Sequence, residues 1–240
     1  MLGYQALALT RSHEALTLAQ ALSHPFSVAF TQGFAARLHQ LRRESQPTQA
    51  QAETVIALCH EQGFAQWLGQ TMILRGWALA EQGQATQGIA QIRQGLEAWR
   101  GTGAELGQTY YGTLLAEAYG KAGAPEDGLH VIAEALAQAG RTEERFYEAQ
   151  LHRLKGELLL ARSRANQAEA EICFHQALDV ARRQQAKSLQ LRAAMSLAHL
   201  WQQQGRRAEA RELLAPIYGW FIEGFDTADL QEARTLIEAL

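Results

Sequence analysis

The sequence is poor in the residues that build sheets, cross-links and chain breaks. Its 240 residues include 4 valines, 9 isoleucines, 4 prolines, 2 cysteines and 1 asparagine. β-Branched residues are the main strand formers, so their scarcity excludes a sizeable sheet and, with it, a doubly wound nucleotide-binding fold. Cys59 and Cys173 are two lone thiols far apart, which makes no disulfide framework and fits a cytoplasmic protein. No stretch approaches the ~20 apolar residues that span a bilayer. The opening Met1-Leu2-Gly3-Tyr4 lacks the basic region and apolar run of a secretory signal. With a net charge of −3 there is no basic footprint for nucleic acid. The arginine pairs at 42–43, 182–183 and 206–207 are short and read as solvated faces.

What is abundant is helix-forming: 43 Ala, 33 Leu and 27 Gln. The 47% apolar content supplies a core. These residues repeat. A small residue recurs at Ala8, Ala50, Gly88, Gly128, Ala170 and Ala210, at intervals of 42, 38, 40, 42 and 40. A second series interleaves at Ala36, Gly76, Ala116, Gly156 and Ala198. Further residues follow at helical spacing: His39, Leu79, Tyr119, Leu159 and Trp201 after the second series, Ser12, Thr54, Ile92, Ile132, Phe174 and Leu214 after the first. Small residues at fixed helical positions let neighbouring axes approach closely. Gly83, Gly123 and Gly205 punctuate the helices, and Pro125 suits the first turn of the next one.

The expected architecture is all-α: a right-handed superhelical solenoid of antiparallel helix pairs with a period of about 40 residues, forming one domain over 1–240. A lone second helix at 4–22 is followed by pairs over 25–63, 66–100, 105–139, 143–185 and 187–224, then a capping helix at 227–239. Pro216 should kink or end its helix. Asp226 is the expected N-cap of the last helix, with Asp229 three residues on.

Leu114-Leu115-Ala116-Glu117-Ala118-Tyr119-Gly120-Lys121-Ala122-Gly123 and Gly76-Trp77-Ala78-Leu79-Ala80-Glu81-Gln82-Gly83 resemble the tetratricopeptide (TPR) pattern. A narrower resemblance rests on Gln185–Leu189, on Trp201 to Gly205, and on the run from Ala215 to Leu230. Those words look like the C-terminal TPR-like region of large bacterial signalling proteins, in which a class III adenylate/guanylate cyclase or a regulatory domain precedes an AAA-type ATPase and a helical repeat array. The cyclase and ATPase parts are absent from this sequence, so neither activity carries over. The resemblance implies sensing or scaffolding through protein contacts.

No catalytic, cofactor-binding or metal site emerges. There is no Walker loop, Gly101-Thr102-Gly103 is a fragment of a dinucleotide fingerprint without its strand, and His60-Glu61 lacks a second His. Cys59-His60 and Cys173 with His175 lie about three repeats apart, too far to meet in a solenoid. Glu117 and Lys121 read as an i,i+4 ion pair, as do Arg153 and Glu157 in the reverse order. Trp67, Trp99 and Trp220 read as helix packing.

The family binds ligands in a concave groove lined by first helices. Its groove positions fall on Arg37, Gln40, Gln70, Trp77, Glu81, Tyr110, Glu117, Lys121, Gln150, Arg153, Glu157, Arg192, Met195, His199 and Gln202. This mixture suits an extended peptide or a partner helix. The Asn/Lys clamp for a C-terminal carboxylate is missing, since the one asparagine, Asn166, falls on a second helix. The expectation is therefore a non-enzymatic protein-interaction scaffold. The alternative is a small-ligand or peptide sensor. The unpaired N-terminal helix is a further expected contact, for another copy or another protein, in a chain that is either a piece of a larger protein or a short gene product.

Overall fold

The computed structural model describes residues 2–240, which carry twelve α-helices, one 3-10 turn and no strand. The helices are α1 (Gln5–Ala21), α2 (Pro25–Leu41), α3 (Ser45–Gln62), α4 (Ala65–Glu81), α5 (Ala85–Gly101) and α6 (Gln108–Lys121). They continue as α7 (Pro125–Thr142), α8 (Glu148–Arg162), α9 (Gln167–Arg183), α10 (Lys187–Gln203), α11 (Arg207–Tyr218) and α12 (Ala228–Ala239). The chain divides into two compact units, Ala6–Ala124 and Met1–Gln5 with Pro125–Leu240.

In the N-terminal unit, α2 packs on α3 and α4 on α5, while the first helices α2, α4 and α6 lie side by side. The C-terminal unit repeats the plan: α8 packs on α9, α10 on α11, and α8, α10 and α12 form the layer of first helices. In this unit Gly3 and Tyr4 lie against the loop after α11, with the Tyr4 and Trp220 rings edge-on at 5.8 Å.

The turns reveal a finer period than the sequence suggested. Left-handed residues occur at 23, 43, 63, 83, 103, 123, 143, 185 and 205, one per half-repeat. Glycine fills five of these positions, but Ser23, Arg43, Glu143 and Gln185 adopt the same backbone with a side chain in place. The one exception is at 163. There Ser163 is extended, its hydroxyl accepts from the Ala165 amide at 3.2 Å, and the 3-10 turn Arg164–Asn166 follows. Asn166 closes it by donating to the Leu159 carbonyl at 2.9 Å. This turn absorbs the two additional residues that lengthen the fourth repeat to 42.

Burial corrects the phase of the first small-residue series. In α3 the buried face is Thr48, Ala52, Val55 and Cys59, whereas Ala50, Thr54 and Ala57 face outward. The true register is therefore Ala8, Thr48, Gly88 and Gly128, at intervals of 40, then Ala170 and Ala210. Threonine occupies the small-residue position in α3, and Ala50 lies two residues late.

The helix ends differ from expectation where local chemistry intervenes. Helix α6 starts at Gln108, after Gly107 turns the chain at φ +89°. Helix α11 ends at Tyr218, two residues past Pro216. The N-cap of α12 is Thr227 rather than Asp226, and Asp229 accepts from Arg192.

Candidate partner-binding face

The first helices carry all fifteen groove positions, and within each unit polar contacts link them between successive repeats. In the N-terminal unit, the Trp77 indole N–H donates to Glu117 Oε2 at 2.8 Å, across 40 residues of sequence. Four residues on, Lys121 Nζ meets Glu81 Oε2 at 3.1 Å, again across 40 residues. The expected Glu117–Lys121 pair within α6 is thus replaced by two bridges to α4. The Tyr110 hydroxyl donates to Gln40 Oε1 at 2.7 Å, and the Arg37 guanidinium stacks on the Tyr110 ring at 4.4 Å from its centre. Gln40, Gln70, Trp77 and Tyr110 are buried. The Gln70 side-chain nitrogen, on a residue 4% exposed, has no hydrogen-bond partner.

In the C-terminal unit, Arg153 donates to Gln150 Oε1 at 3.0 Å and pairs with Glu157 in its own helix. Glu157 also accepts from the Ser196 hydroxyl of α10 at 2.8 Å. Arg192 Nε lies 2.8 Å from Asp229 Oδ2, joining α10 to α12 with side chains only 10% and 2% exposed. Gln150, Arg192 and Met195 are buried, and His199 is exposed. Gln202 is half-buried.

The fifteen candidate positions therefore separate into two groups. Seven of them, Gln40, Gln70, Trp77, Tyr110, Gln150, Arg192 and Met195, are buried between helices. Lys121 and His199 are exposed, and Arg37, Glu81, Glu117, Arg153, Glu157 and Gln202 are half-buried. Exposed long polar side chains beside a rigid, hydrogen-bonded layer present a fixed pattern of charge. Exposed pairs such as Lys121–Glu81 add at most ~1 kcal/mol to stability, so replacing their partners is cheap.

The cysteines are free and buried, and burial pushes the Cys59 thiol up to about 11 and raises that of Cys173. Neither is an activated nucleophile. Among the described residues no group of three or more His, Cys, Asp or Glu side chains is placed to hold a metal ion. No described helix is long and apolar enough to cross a membrane. Trp99 is buried as expected, but Trp220 is 37% exposed, stacked edge-on with Phe221 and under the Lys187 ammonium at 5.3 Å.

One feature escaped the sequence reading. Phe26, Phe30 and Phe34 line one side of α2 and are 44–46% exposed. Their spacing of four residues was the available signal.

No family model matches the sequence. Over 132 residues the chain is 30% identical to an uncharacterized protein of Rhizobium meliloti (strain 1021), a stretch covering 55% of this chain and 13% of that protein. Among solved structures, a putative kinesin light chain from Podosopora anserina with nearly identical TPR-like repeats is 19% identical, with a TM-score of 0.55 over 82% of this chain and 95% of that one. BtubC (BKLC) from P. vanneervenii is 12% identical, with a TM-score of 0.61 over 99% of this chain and 93% of that one. The chain has a TPR-like helical repeat fold.

Proposed function

We propose that this chain is a non-enzymatic protein-interaction scaffold, serving as a regulatory or sensor part of a bacterial signalling system in the cytoplasm. The observation that carries this reading is the layer of first helices within each unit, joined by polar bridges between neighbouring helices, with Glu81 and Lys121 on the N-terminal unit's layer and Arg153, Glu157, His199 and Gln202 on the C-terminal unit's. Such a face suits an extended peptide or a helix bearing charges of both signs. The match to a small fraction of a much longer bacterial protein supports a place inside a larger assembly, as the resemblance to cyclase- and ATPase-linked arrays implies.

The test uses residues whose replacement leaves the core intact. Affinity capture from cells is compared between wild type and a Lys121→Glu/His199→Glu variant, with circular dichroism confirming the fold. Loss of one reproducible partner in the variant supports the reading. Equal capture of the same partners overturns it, as does turnover of a substrate that depends on these residues. Trp77 is a poor probe, because its replacement would remove a buried ring along with its hydrogen bond to Glu117.

A second reading, a small-ligand sensor, draws on one observation. The Gln70 amide nitrogen is buried on α4 without an acceptor, which a ligand carbonyl or carboxylate would supply. A thermal-shift screen of metabolites against wild type and Gln70→Leu separates the two. A shift abolished by Gln70→Leu favours the sensor.

A further inference from the structure

The groove side of α4, in the N-terminal unit, is covered by side chains rather than by a helix. Helix α4 meets α5 through Gly69, Ile73 and Gly76. Gln70, Leu74 and Trp77 each follow one of these by a single residue, so they lie about 100° further round the helix, on the face of the groove positions. Yet Gln70 is 4% exposed, Leu74 0% and Trp77 2%.

Two contacts between the flanking helices account for this. Tyr110 of α6 donates to Gln40 of α2, and Arg37 of α2 lies over the Tyr110 ring. Helix α4 packs between α2 and α6, and α3 and α5 take its other side. Side chains of α2 and α6 therefore meet by passing over the groove face of α4. Equivalent positions of neighbouring first helices stand side by side, as Trp77 with Glu117 and Glu81 with Lys121, each pair 40 residues apart. In that register Arg37 is level with Trp77 and Tyr110 with Gln70. The strap thus crosses α4 obliquely, at the level of Leu74.

On the face under this strap the Gln70 side-chain nitrogen is buried without a hydrogen-bond partner. A buried donor left unmade is costly, and an acceptor that reached it would recover that cost. The tyrosine–glutamine hydrogen bond and the cation–π stack are each modest contacts that a ligand can replace. With Tyr110 and Arg37 swung aside, the Gln70 N–H and the Arg37 guanidinium stand beside an apolar floor of Leu74 and Trp77. The carboxylates of this layer are engaged elsewhere on the face, Glu117 by Trp77 and Glu81 by Lys121. A donor and a cation at the edge of an apolar floor select a small molecule with one carboxylate on an apolar body.

We propose that Arg37, Tyr110 and Gln40 form a strap that closes a binding site on α4 for a small apolar carboxylate. Gln70 and Arg37 hold the carboxylate, and Leu74 and Trp77 receive the apolar body. The inference deepens the sensor reading and rests on it. Because the strap must open first, it lowers the apparent affinity by the fraction of molecules that are open.

Octanoate and N-acetylphenylalanine are the probes, with their methyl esters as controls, titrated into the full chain by calorimetry. Wild type is expected to bind the acids and not the esters. Gln70→Leu and Arg37→Gln, with unchanged circular dichroism, are expected to bind about tenfold more weakly or worse. Tyr110→Phe keeps the ring but removes the strap's hydrogen bond, so it is expected to bind up to about tenfold more tightly. A second measurement needs no ligand. Iodoacetamide labels the thiol of Gln70→Cys, with wild type giving the background of the buried native cysteines. Adding Tyr110→Phe is expected to speed that labelling by a similar factor. A wild type that binds neither acid overturns the proposal, as do esters that bind as well as the acids. A Tyr110→Phe change that alters neither affinity nor labelling rate also overturns it. In each case a metabolite shift that Gln70→Leu abolishes would leave the sensor reading standing, whereas a screen without any shift would remove that reading as well.

Discussion

Helix pairs α4·α5 and α8·α9 occupy the same register, one in each unit, and solve close packing in opposite ways. In α4·α5 four glycines meet backbone to backbone. A Cβ on Gly69 would lie 2.8 Å from the Trp99 amide nitrogen, one on Gly76 2.7 Å from the Gly88 carbonyl, and one on Gly95 2.8 Å from the Gly69 carbonyl. In α8·α9 the corresponding positions are Ala149, Gly156, Ala170 and Ala177, and what a Cβ on Gly156 would meet is a side chain. Phe174, fully buried, sets its ring into the notch at Gly156. A backbone contact has no rotamer to adjust, whereas a ring has at least χ angles and a surrounding core that yields. The same small-residue signature in sequence therefore covers two different mechanical situations.

The largest expected effect is in the first pair. In Gly76→Ala/Gly88→Ala each new methyl faces the other helix's carbonyl, so the axes must separate along the whole contact. Alanine returns up to ~1 kcal/mol per site in helix propensity. Overpacking costs ~1–3 kcal/mol per site and more when only backbone can move, so the net loss should be about 3 kcal/mol. Urea unfolding measures it, and a variant as stable as wild type would mean the two helices are not in backbone contact.

A smaller effect, and one that is reversible, is expected at the second pair. Gly156→Ala should cost about 1 kcal/mol, because the Phe174 ring must shift. Adding Phe174→Leu should recover part of that, giving a favourable coupling in a double-mutant cycle. The analogous cycle of Gly76→Ala with Ile92→Val should show little coupling, since the Gly88 carbonyl remains in the way after Ile92 is shortened. Equal couplings in the two pairs would erase the distinction.

The turns extend the comparison. The N-terminal unit has Gly63 and Gly103 where the C-terminal unit has Glu143 and Gln185, all left-handed. A non-glycine residue in this region costs roughly 1–2 kcal/mol. Gln185→Gly should therefore raise stability by about 1 kcal/mol, a change read as a higher thermal midpoint.

How much of this was legible follows from what periodicity encodes. The 40-residue spacing of Ala36, Gly76, Ala116 and Gly156 revealed helix pairs, because close axes demand small residues wherever they cross. It did not distinguish a glycine facing a carbonyl from one facing a ring, since that depends on the residue across the interface. Thr48 was missed because threonine fills a small-residue position while carrying a polar atom, its hydroxyl donating 2.8 Å back to the Glu44 carbonyl. The site was less legible than the fold. Counting along the helices found Trp77, Tyr110 and Arg192 on the first helices, but their exposure depends on neighbours 37 to 70 residues away, Asp229, Glu117 and Gln40. Phe30 and Phe34 look like core residues in sequence, but both are 44% exposed.

The least of the expected effects distinguishes the two pairs by pH. His152 lies on α8 at the position that Met72 holds on α4, and its Nδ1 is buried without a partner. Burial holds its pKa below the ordinary value of 6.5, with Lys155 adding to the shift and Glu148 and a hydrogen bond with Gln176 opposing it. The unfolded chain thus takes up a proton before the folded one does. Stability from this site is complete above about pH 6.5 and falls as the pH drops through that value. Glu53, Glu171 and Glu209, whose hydrogen bonds to neighbouring side chains hold their carboxyls below 4.5, lose their contribution only at still lower pH. Thermal midpoints between pH 7.5 and 5 should therefore show a small decline that His152→Met removes. A decline unchanged in that variant would place the proton uptake elsewhere, and α8·α9 would then be no more sensitive to pH than α4·α5.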